Sequence, residues 1–159
     1  MDLDATDLRL LQILQEDASL SNQALAQRAH TSPATALRRV RRLVDTGVIE
    51  RRVALLNPQA LGDALTALVE ITLDRQGAEH LDAFEQRAVA EARVQQVWRV
   101  SPGPDFVLVL QVADMAAYGA LVQRLFTQDA NVRNVKAFFS IKRAKFEPQV
   151  ALPRGASSQ

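Results

Sequence analysis

The hydrophobic positions in the first third of the chain recur at helical spacing and predict successive helices. The stretch Leu3 to Ala18 places its leucines and an isoleucine along one side, and Asp4 is suited to cap its start. Ser21 is suited to cap a second helix, in which Leu25 and Ala26 face inward. The chain therefore begins with two predicted helices, each with a polar capping residue and an apolar inner side.

A third helix follows after a very short connection. Ser32 is suited to cap it, and Pro33 fits its first turn because no backbone N–H is needed there. Gly47 ends the helix. Residues 29–31 alone separate the second helix from the third, which leaves room only for a sharp corner between two packed helices. This arrangement is typical of a helix-turn-helix, which presents its second helix to DNA.

The third helix has an apolar side and an arginine-rich side. The apolar positions share one face and are expected to pack inward: Ala36, Leu37, Val40, Leu43 and Val44. The opposite stripe comprises Thr35, Arg38, Arg39 and Arg42, with Arg41 at its margin. A guanidinium matches guanine or a phosphate, and Thr35 near the helix start can reach base edges. A merely solvated basic face is the alternative, but these arginines coincide with the turn geometry.

Positive charge is concentrated in this region, although the whole chain has a formal net charge of +1. A near-neutral protein with one basic patch suits selective DNA binding better than general coating of nucleic acid. Arg51 and Arg52 follow on an extended segment and are expected to contact phosphate or the opposite subunit. We assign the DNA contacts to Ser21, Asn22, Ser32, Thr35, Arg38, Arg39, Arg41, Arg42 and Arg52.

The pattern changes its period after Gly47. Residues 48–56 are β-like, and Asn57-Pro58 together with Gly62 marks a hinge. Beyond the hinge we predict strands at 65–73, 94–100, 106–112 and 132–142, and helices at 78–91 and from 114 to about 128. The resulting order β-α-β-β-α-β is that of a ferredoxin-like fold.

The fold class expected from these patterns is α+β. The predicted parts are a winged-helix-like helix-turn-helix domain at 1–54, a hinge at 55–64, a ferredoxin-like regulation and oligomerisation domain at 65–146, and a flexible tail at 147–159. The sheet has helices on one face only and the strand 106–112 is apolar on both sides, so a second copy is its simplest cover and a homodimer is expected. We assign Trp98 to core or dimer packing and the phenylalanines to the core: Phe126, Phe138 and Phe139.

Composition argues against several other classes of protein. A chain of 159 residues with 48% hydrophobic content can bury a core, and no run is long and apolar enough to span a membrane. Met1 is followed by acidic residues where a secretory signal would be basic, so a cytoplasmic location is expected. Cysteine is absent, which excludes disulfides and thiol chemistry, and His30 and His80 lack partners at metal-ligand spacing. Since no phosphate loop, nucleophile elbow or carboxylate pair is present, we expect no metal, no cofactor and no enzyme activity.

Several segments carry a family resemblance. They are LDATDLRLLQILQEDASLSNQALAQRAHTSPATALRRVRRLVDTGVI, the hinge LLNPQALG, the strand ALVEITL and the last strand VRNVKAFFSIKRAKF. Together, over about residues 2–146, they resemble the Lrp/AsnC (leucine-responsive) family of bacterial and archaeal transcription regulators. The resemblance implies feast/famine regulation, in which an amino acid or related small molecule binds between regulatory domains and changes assembly or DNA affinity. It also implies dimers, which often assemble into octamers.

Two positions depart from the family pattern. His30 stands in the turn where similar proteins usually carry glycine, and histidine tolerates positive φ better than most residues. The loop VSPGPDF at 100–106 resembles the family's effector loop, but prolines surround a displaced glycine and remove two N–H donors. Its candidate effector-binding residues are Ser101, Gly103 and Asp105. We expect weak amino-acid binding or a different ligand, with Asp105 important if that ligand is cationic.

The leading hypothesis is a sequence-specific transcription regulator that responds to a small molecule. One alternative is a weakly selective architectural protein that compacts duplex DNA through its oligomer. Another is a ferredoxin-like dimer that binds a small molecule or acts as an enzyme and uses its N-terminal helices only as an interaction module. The arginine stripe and the missing catalytic residues argue against this last alternative.

Overall fold

The computed structural model describes residues 2–153, which divide into two units. We call them the head unit, which contains the chain up to Leu55 and again from Lys145 onward, and the sheet unit, which runs from Leu56 to Ala144. No helix within residues 2–153 is both long and apolar enough to cross a membrane.

Polar caps fix the starts of the three helices in the head unit. These are α1 (Ala5–Glu16), α2 (Asn22–Arg28) and α3 (Pro33–Asp45). The Asp4 carboxylate accepts from the N–H groups of Thr6 and Asp7, both at 2.9 Å, and the Asp7 carboxylate accepts in turn from the Asp4 N–H at 3.2 Å. The hydroxyls of Ser21 and Ser32 accept from backbone N–H groups in the same way. The predicted caps are confirmed, although α1 is shorter than the predicted stretch.

The corner between α2 and α3 is made by His30, which has a φ of 53°. The next residue, Thr31, donates its N–H to the carbonyl of Ala26 at 2.9 Å. His30 therefore adopts the left-handed conformation that glycine most often provides at the end of a helix.

The head core differs from the predicted apolar face of α3. Its buried members include Leu10 of α1, Leu25 of α2, and Ala36 and Val40 of α3. Leu37 and Val44, which were expected to face inward, are 42% and 43% exposed. Both residues lie on a flank of α3 that α1 and α2 do not cover, because the buried side centres on Ala36, Val40 and Leu43. The prediction was wrong for these two positions.

The segment after α3 also differs from its prediction. No strand is assigned over 48–56, and Val53 and Leu55 are exposed. An extended segment becomes a strand only when a neighbouring strand pairs with its backbone, and none among the described residues does so here: the Ile49 N–H donates instead to the Leu43 carbonyl of α3 at 2.9 Å. The hinge itself contains a short 3₁₀ turn, Gln59–Leu61, which ends at Gly62 with a φ of 87°.

The C-terminal segment of the head unit rests on α1. The Val150 N–H donates to Gln15 Oε1 at 2.8 Å, and Gln15 Nε2 donates to the Val150 carbonyl at 3.1 Å. The described part of the predicted flexible tail therefore has a fixed contact. Residues 154–159 of that prediction lie outside the described residues.

The sheet unit has the predicted βαββαβ order. Its elements are β1 (Leu65–Leu73), α4 (Ala78–Ala90), β2 (Val94–Arg99), β3 (Phe106–Val112), α5 (Met115–Val122) and β4 (Val132–Phe139). The strands lie in the order β2-β3-β1-β4, and all three pairs are antiparallel. The ferredoxin-like prediction is confirmed. Two details differ: α5 changes at Gln123 into a π-helical turn, and β4 ends at Phe139 and not at Lys142.

Strand alternation gives the sheet one buried face and one open face. The buried face packs against α4 and α5 through Phe84, Leu121 and Phe126, which confirms the core assignment of Phe126. The open face carries apolar side chains on adjacent strands: Leu68, Trp98, Val107, Val109 and Phe138. Trp98 is 59% exposed and Phe138 is also exposed, so the core assignment of Phe138 was wrong. Phe139 is partly exposed on the other face, where it contacts the Tyr118 ring edge to face.

Candidate DNA-binding surface and effector loop

The outward side of α3 is a basic surface with an apolar patch. Its exposed residues are Ala34, Leu37, Arg38, Arg41 and Asp45, which line a shallow depression together with Arg42. Ala34, Arg38, Arg41 and Asp45 are three or four residues apart, and Leu37 lies three residues after Ala34 and four before Arg41, so they form one stripe along the helix. In the part of the chain that the structure describes, no carboxylate forms an ion pair with Arg38 or Arg41. We call this stripe the α3 surface.

The other two arginines of the predicted stripe are held within the head unit. Arg39 Nη1 lies 2.6 Å from an Asp4 oxygen and 2.9 Å from an Asp7 oxygen, and Arg42 Nη2 lies 2.6 Å from the second Asp7 oxygen. The side chain of Asp7 is 1% exposed, and that of Arg39 is 19% exposed. The structure therefore places Arg39 against α1, whereas Arg42 is shared between Asp7 and solvent.

The ion pairs of this cluster shift the pKa of Asp4 and of Arg39. The Asp7 N–H and the Arg39 guanidinium lower the pKa of Asp4. The carboxylates of Asp4 and Asp7 in turn raise the pKa of Arg39, which stays positively charged. Arg39 Nε is buried without a hydrogen-bond partner among the described residues, so this side chain is committed to its ion pairs.

The polar residues at the helix starts organise the corner. Asn22 Nδ2 donates to the Pro33 carbonyl at 2.8 Å and thereby ties the start of α2 to the start of α3. The Ser32 hydroxyl accepts from the Thr35 N–H and donates to the Thr35 hydroxyl at 2.9 Å. Ser21 caps α2. Each of these candidate DNA contacts therefore already has a bond that fixes the helix geometry, whereas Arg52 is exposed on the segment after α3.

The candidate effector loop is anchored to the end of β1. Asp105 Oδ2 accepts from the Leu73 N–H at 2.7 Å and from Gln76 Nε2 at 3.2 Å. Ser101 and Gly103 are exposed, and Gly103 has a φ of 126°. The Ser101–Pro102 peptide bond is cis. The structure thus gives Asp105 an internal role, while Ser101 and Gly103 face solvent.

Sequence reasoning missed two features of the α3 surface. It did not identify Asp7, whose carboxylate fixes α3 against α1, although an acidic residue within an otherwise apolar helical face was a visible signal. It also placed Leu37 in the core. At 100° per residue, Leu37 lies 100° around the helix axis from the buried Ala36. This angle places Leu37 at the edge of the buried side of α3.

Comparison with known proteins agrees with both units. The profile of the winged helix-turn-helix DNA-binding family matches residues 3–50, and that of the Lrp/AsnC ligand binding domain matches residues 66–150. The chain belongs to the Lrp/AsnC family. It is a helix-turn-helix transcription regulator with a ligand-binding domain.

Three named relatives are similar to this chain over nearly its whole length and support this conclusion. A leucine-responsive regulatory protein of Rhizobium meliloti is 36% identical over 96% of this chain and 97% of its own. A transcriptional regulator of Neisseria meningitidis, solved with L-Met, has a TM-score of 0.88 at 27% identity and covers 94% of this chain and 97% of its own. A feast or famine regulatory protein of M. tuberculosis, solved with L-methionine, has a TM-score of 0.84 at 31% identity, over 94% and 99% respectively.

The shifted pKa of Asp4 predicts a pH dependence of head stability. A lowered folded-state pKa contributes stability above the ordinary value of 3.8, and this contribution is lost as the pH falls through the folded value. We expect Asp4→Asn to lower the unfolding free energy at pH 7 by only about 0.5 kcal/mol, because the exposed carboxylate is screened by solvent. The difference from the wild type should shrink as the pH falls below 3.8 and through the lowered folded-state pKa of Asp4.

Urea unfolding of the full chain, followed by helical circular dichroism between pH 7 and pH 2, measures this effect. Asp2→Asn is the matched control, because Asp2 lies outside the capping box. Parallel pH profiles for the wild type and Asp4→Asn would contradict the prediction.

Proposed function

We propose that this Lrp/AsnC regulator binds duplex DNA as a dimer through the α3 surface and that a small metabolite bound at the 101–105 loop modulates it. The observation that carries the proposal is the exposed pair Arg38 and Arg41 on the outward side of the second helix of a helix-turn-helix. In such motifs the early residues of this helix enter the major groove. A regulator that binds duplex DNA is expected to be cytoplasmic and to lack enzyme activity. Both expectations remain predictions.

The arginines of α3 divide into two proposed roles. Arg38 lies in the first half of the helix, where a guanidinium can donate two bonds to guanine. Arg41 and Arg52 are proposed to contact phosphates, which increase affinity for every sequence. Arg39 is left out of this set because Asp4 and Asp7 hold it. Arg42 is proposed as a phosphate contact because its side chain is exposed. We rank this contact as secondary because the guanidinium already pairs with Asp7.

The proposed dimer uses the open face of the sheet. In the register, Leu68 lies opposite both Val109 and Phe138, and Trp98 lies opposite Val107. A contiguous apolar patch of this kind is unfavourable in water and favours association. A two-fold pair of sheets would present two heads to a near-palindromic site. Octamers are expected from the family resemblance alone.

The effector is proposed to bind at the exposed part of the 101–105 loop. Two relatives were solved with L-methionine, so we propose this amino acid as the first candidate. Pro102 and Pro104 remove two N–H donors, which leaves the Ser101 hydroxyl and the Gly103 N–H for a carboxylate. Asp105 is proposed to act through the loop conformation, because its carboxylate already accepts from Leu73 and Gln76.

Arginine substitutions on α3 should separate base reading from phosphate binding. We expect Arg38→Ala to lose about 1–3 kcal/mol of discrimination between a selected site and random duplex, as for a direct base contact. Arg41→Ala should weaken binding to both duplexes equally and reduce the salt slope by about one. Fluorescence anisotropy at several salt concentrations measures both quantities.

Arg28→Ala is the matched control, because Arg28 is the last residue of α2 and its guanidinium pairs with Glu16 of α1. This variant should bind as the wild type does. If the wild type binds the selected site and random duplex equally, the result would instead support the weakly selective architectural protein.

Charge placed on the open sheet face should prevent dimer formation. We expect the wild type to sediment as a dimer or larger at micromolar concentration, and Leu68→Glu to sediment as a folded monomer, because each introduced carboxylate would be buried without a partner in the proposed apolar interface. Val89→Glu is the control, since Val89 is an exposed residue of α4 outside the sheet. A monomeric wild type would refute the proposed dimer.

Ligand binding tests the proposed role of the loop. Calorimetry with L-methionine should show weak binding, and Ser101→Ala should reduce the affinity by about tenfold, as expected for one hydrogen bond to a charged group. Ser19→Ala in the head unit is the control, because its hydroxyl bonds only the nearby Asp17. Binding that is unchanged in Ser101→Ala would place the site elsewhere.

A further inference from the structure

The α3 surface contains an apolar patch that the head core does not require. Leu37 is 42% exposed, and Ala34, three residues earlier, is exposed beside it. Neither belongs to the buried cluster that joins the three helices. Arg38 and Arg41 line the same depression. A leucine beside two cationic side chains is therefore exposed to water in the first half of α3.

The charge around Leu37 restricts what can cover it. Burial against an apolar protein surface would desolvate Arg38 and Arg41 without compensation, which is costly. Duplex DNA provides phosphates and guanine acceptors for the arginines, and its major groove contains one apolar group at the base edges, the 5-methyl of thymine. The same ligand thus satisfies both kinds of side chain on this surface.

We propose that Leu37, supported by Ala34, recognises the 5-methyl group of a thymine in each half-site. This inference rests on the proposed use of α3 as the reading helix and adds a base preference to it. Leu37 is the fifth residue of α3, and Arg38 follows it directly. The thymine is therefore expected within one or two base pairs of the base that Arg38 contacts. The assignment makes Leu37 a specificity-determining residue, whereas the sequence pattern alone placed it in the core.

Uracil substitution tests the inference, because uracil lacks only the methyl group and keeps the same base pairing. A site is first selected with the full chain from randomised duplexes, and each thymine of that site is then replaced singly by uracil. We expect one symmetry-related pair of positions at which the wild type binds about fourfold more weakly per methyl removed. Leu37→Ala should bind the thymine and uracil duplexes equally at these positions.

Val44→Ala provides the matched control. Val44 is as exposed as Leu37, at 43%, but lies seven residues later, in the last turn of α3, and does not line the depression that Leu37, Arg38 and Arg41 share. This variant should keep the wild-type preference for thymine. Because the uracil effect is measured first on the wild type, a wild type without any thymine preference overturns the inference before a variant is made.

The outcomes separate this inference from the proposed function. Equal binding of every uracil duplex by the wild type, a selected site without thymine, or a thymine preference retained in Leu37→Ala would each overturn the role of Leu37 while DNA binding stands. Failure to bind any duplex would overturn the proposed function itself. A preference lost in Leu37→Ala and kept in Val44→Ala supports the inference.

Discussion

The buried carboxylate of Asp7 holds α3, the second helix of the helix-turn-helix, in place. One of its oxygens accepts from Arg39 and the other from Arg42, so a single residue of α1 holds two residues of α3 that lie three positions apart. A buried carboxylate destabilises a protein unless charges and hydrogen bonds compensate it. Here the compensation fixes the rotation of α3 about its own axis. That rotation determines which side chains face outward, so the α3 surface depends on an acidic residue that is not part of it.

The same interaction explains why four neighbouring arginines are not equivalent. Arg39 and Arg42 stabilise the head unit through Asp4 and Asp7, and a DNA phosphate could attract Arg39 only by breaking its ion pairs with the exposed Asp4 and the buried Asp7. Arg38 and Arg41 have no such competition among the described residues, and their stripe also contains Leu37. A basic patch counted from the sequence therefore overstates the charge available to DNA, and the composition of the exposed part is more apolar than the count suggests.

Local chemistry made much of the fold predictable, and long-range pairing made the rest unpredictable. Capping by Ser21 and Ser32 and the alternation of β1 depend on neighbouring residues and can be read directly from the sequence. The bond between Arg39 and Asp4 joins residues 35 positions apart, and the bond of Asp105 to Leu73 joins residues 32 apart. The periodic pattern of hydrophobic and polar positions does not reveal which distant residues pair with each other. For this reason the arginines and Asp105 were identified as polar and functional but were not sorted into internal and exposed roles.

Strand β1 connects the candidate effector loop to the open face of the sheet. Leu73 at its end donates to Asp105, and the Asp105 N–H donates to the carbonyl of Ile71 at 2.8 Å. Leu68, five residues before Leu73 on the same strand, lies in the exposed apolar patch. A ligand that moves the loop must therefore either displace the end of β1 or break these bonds. Since β1 is paired on both sides, by β3 and β4, any displacement is shared with the strands that complete the patch. Loop occupancy and sheet association can thus be coupled within the sheet unit alone.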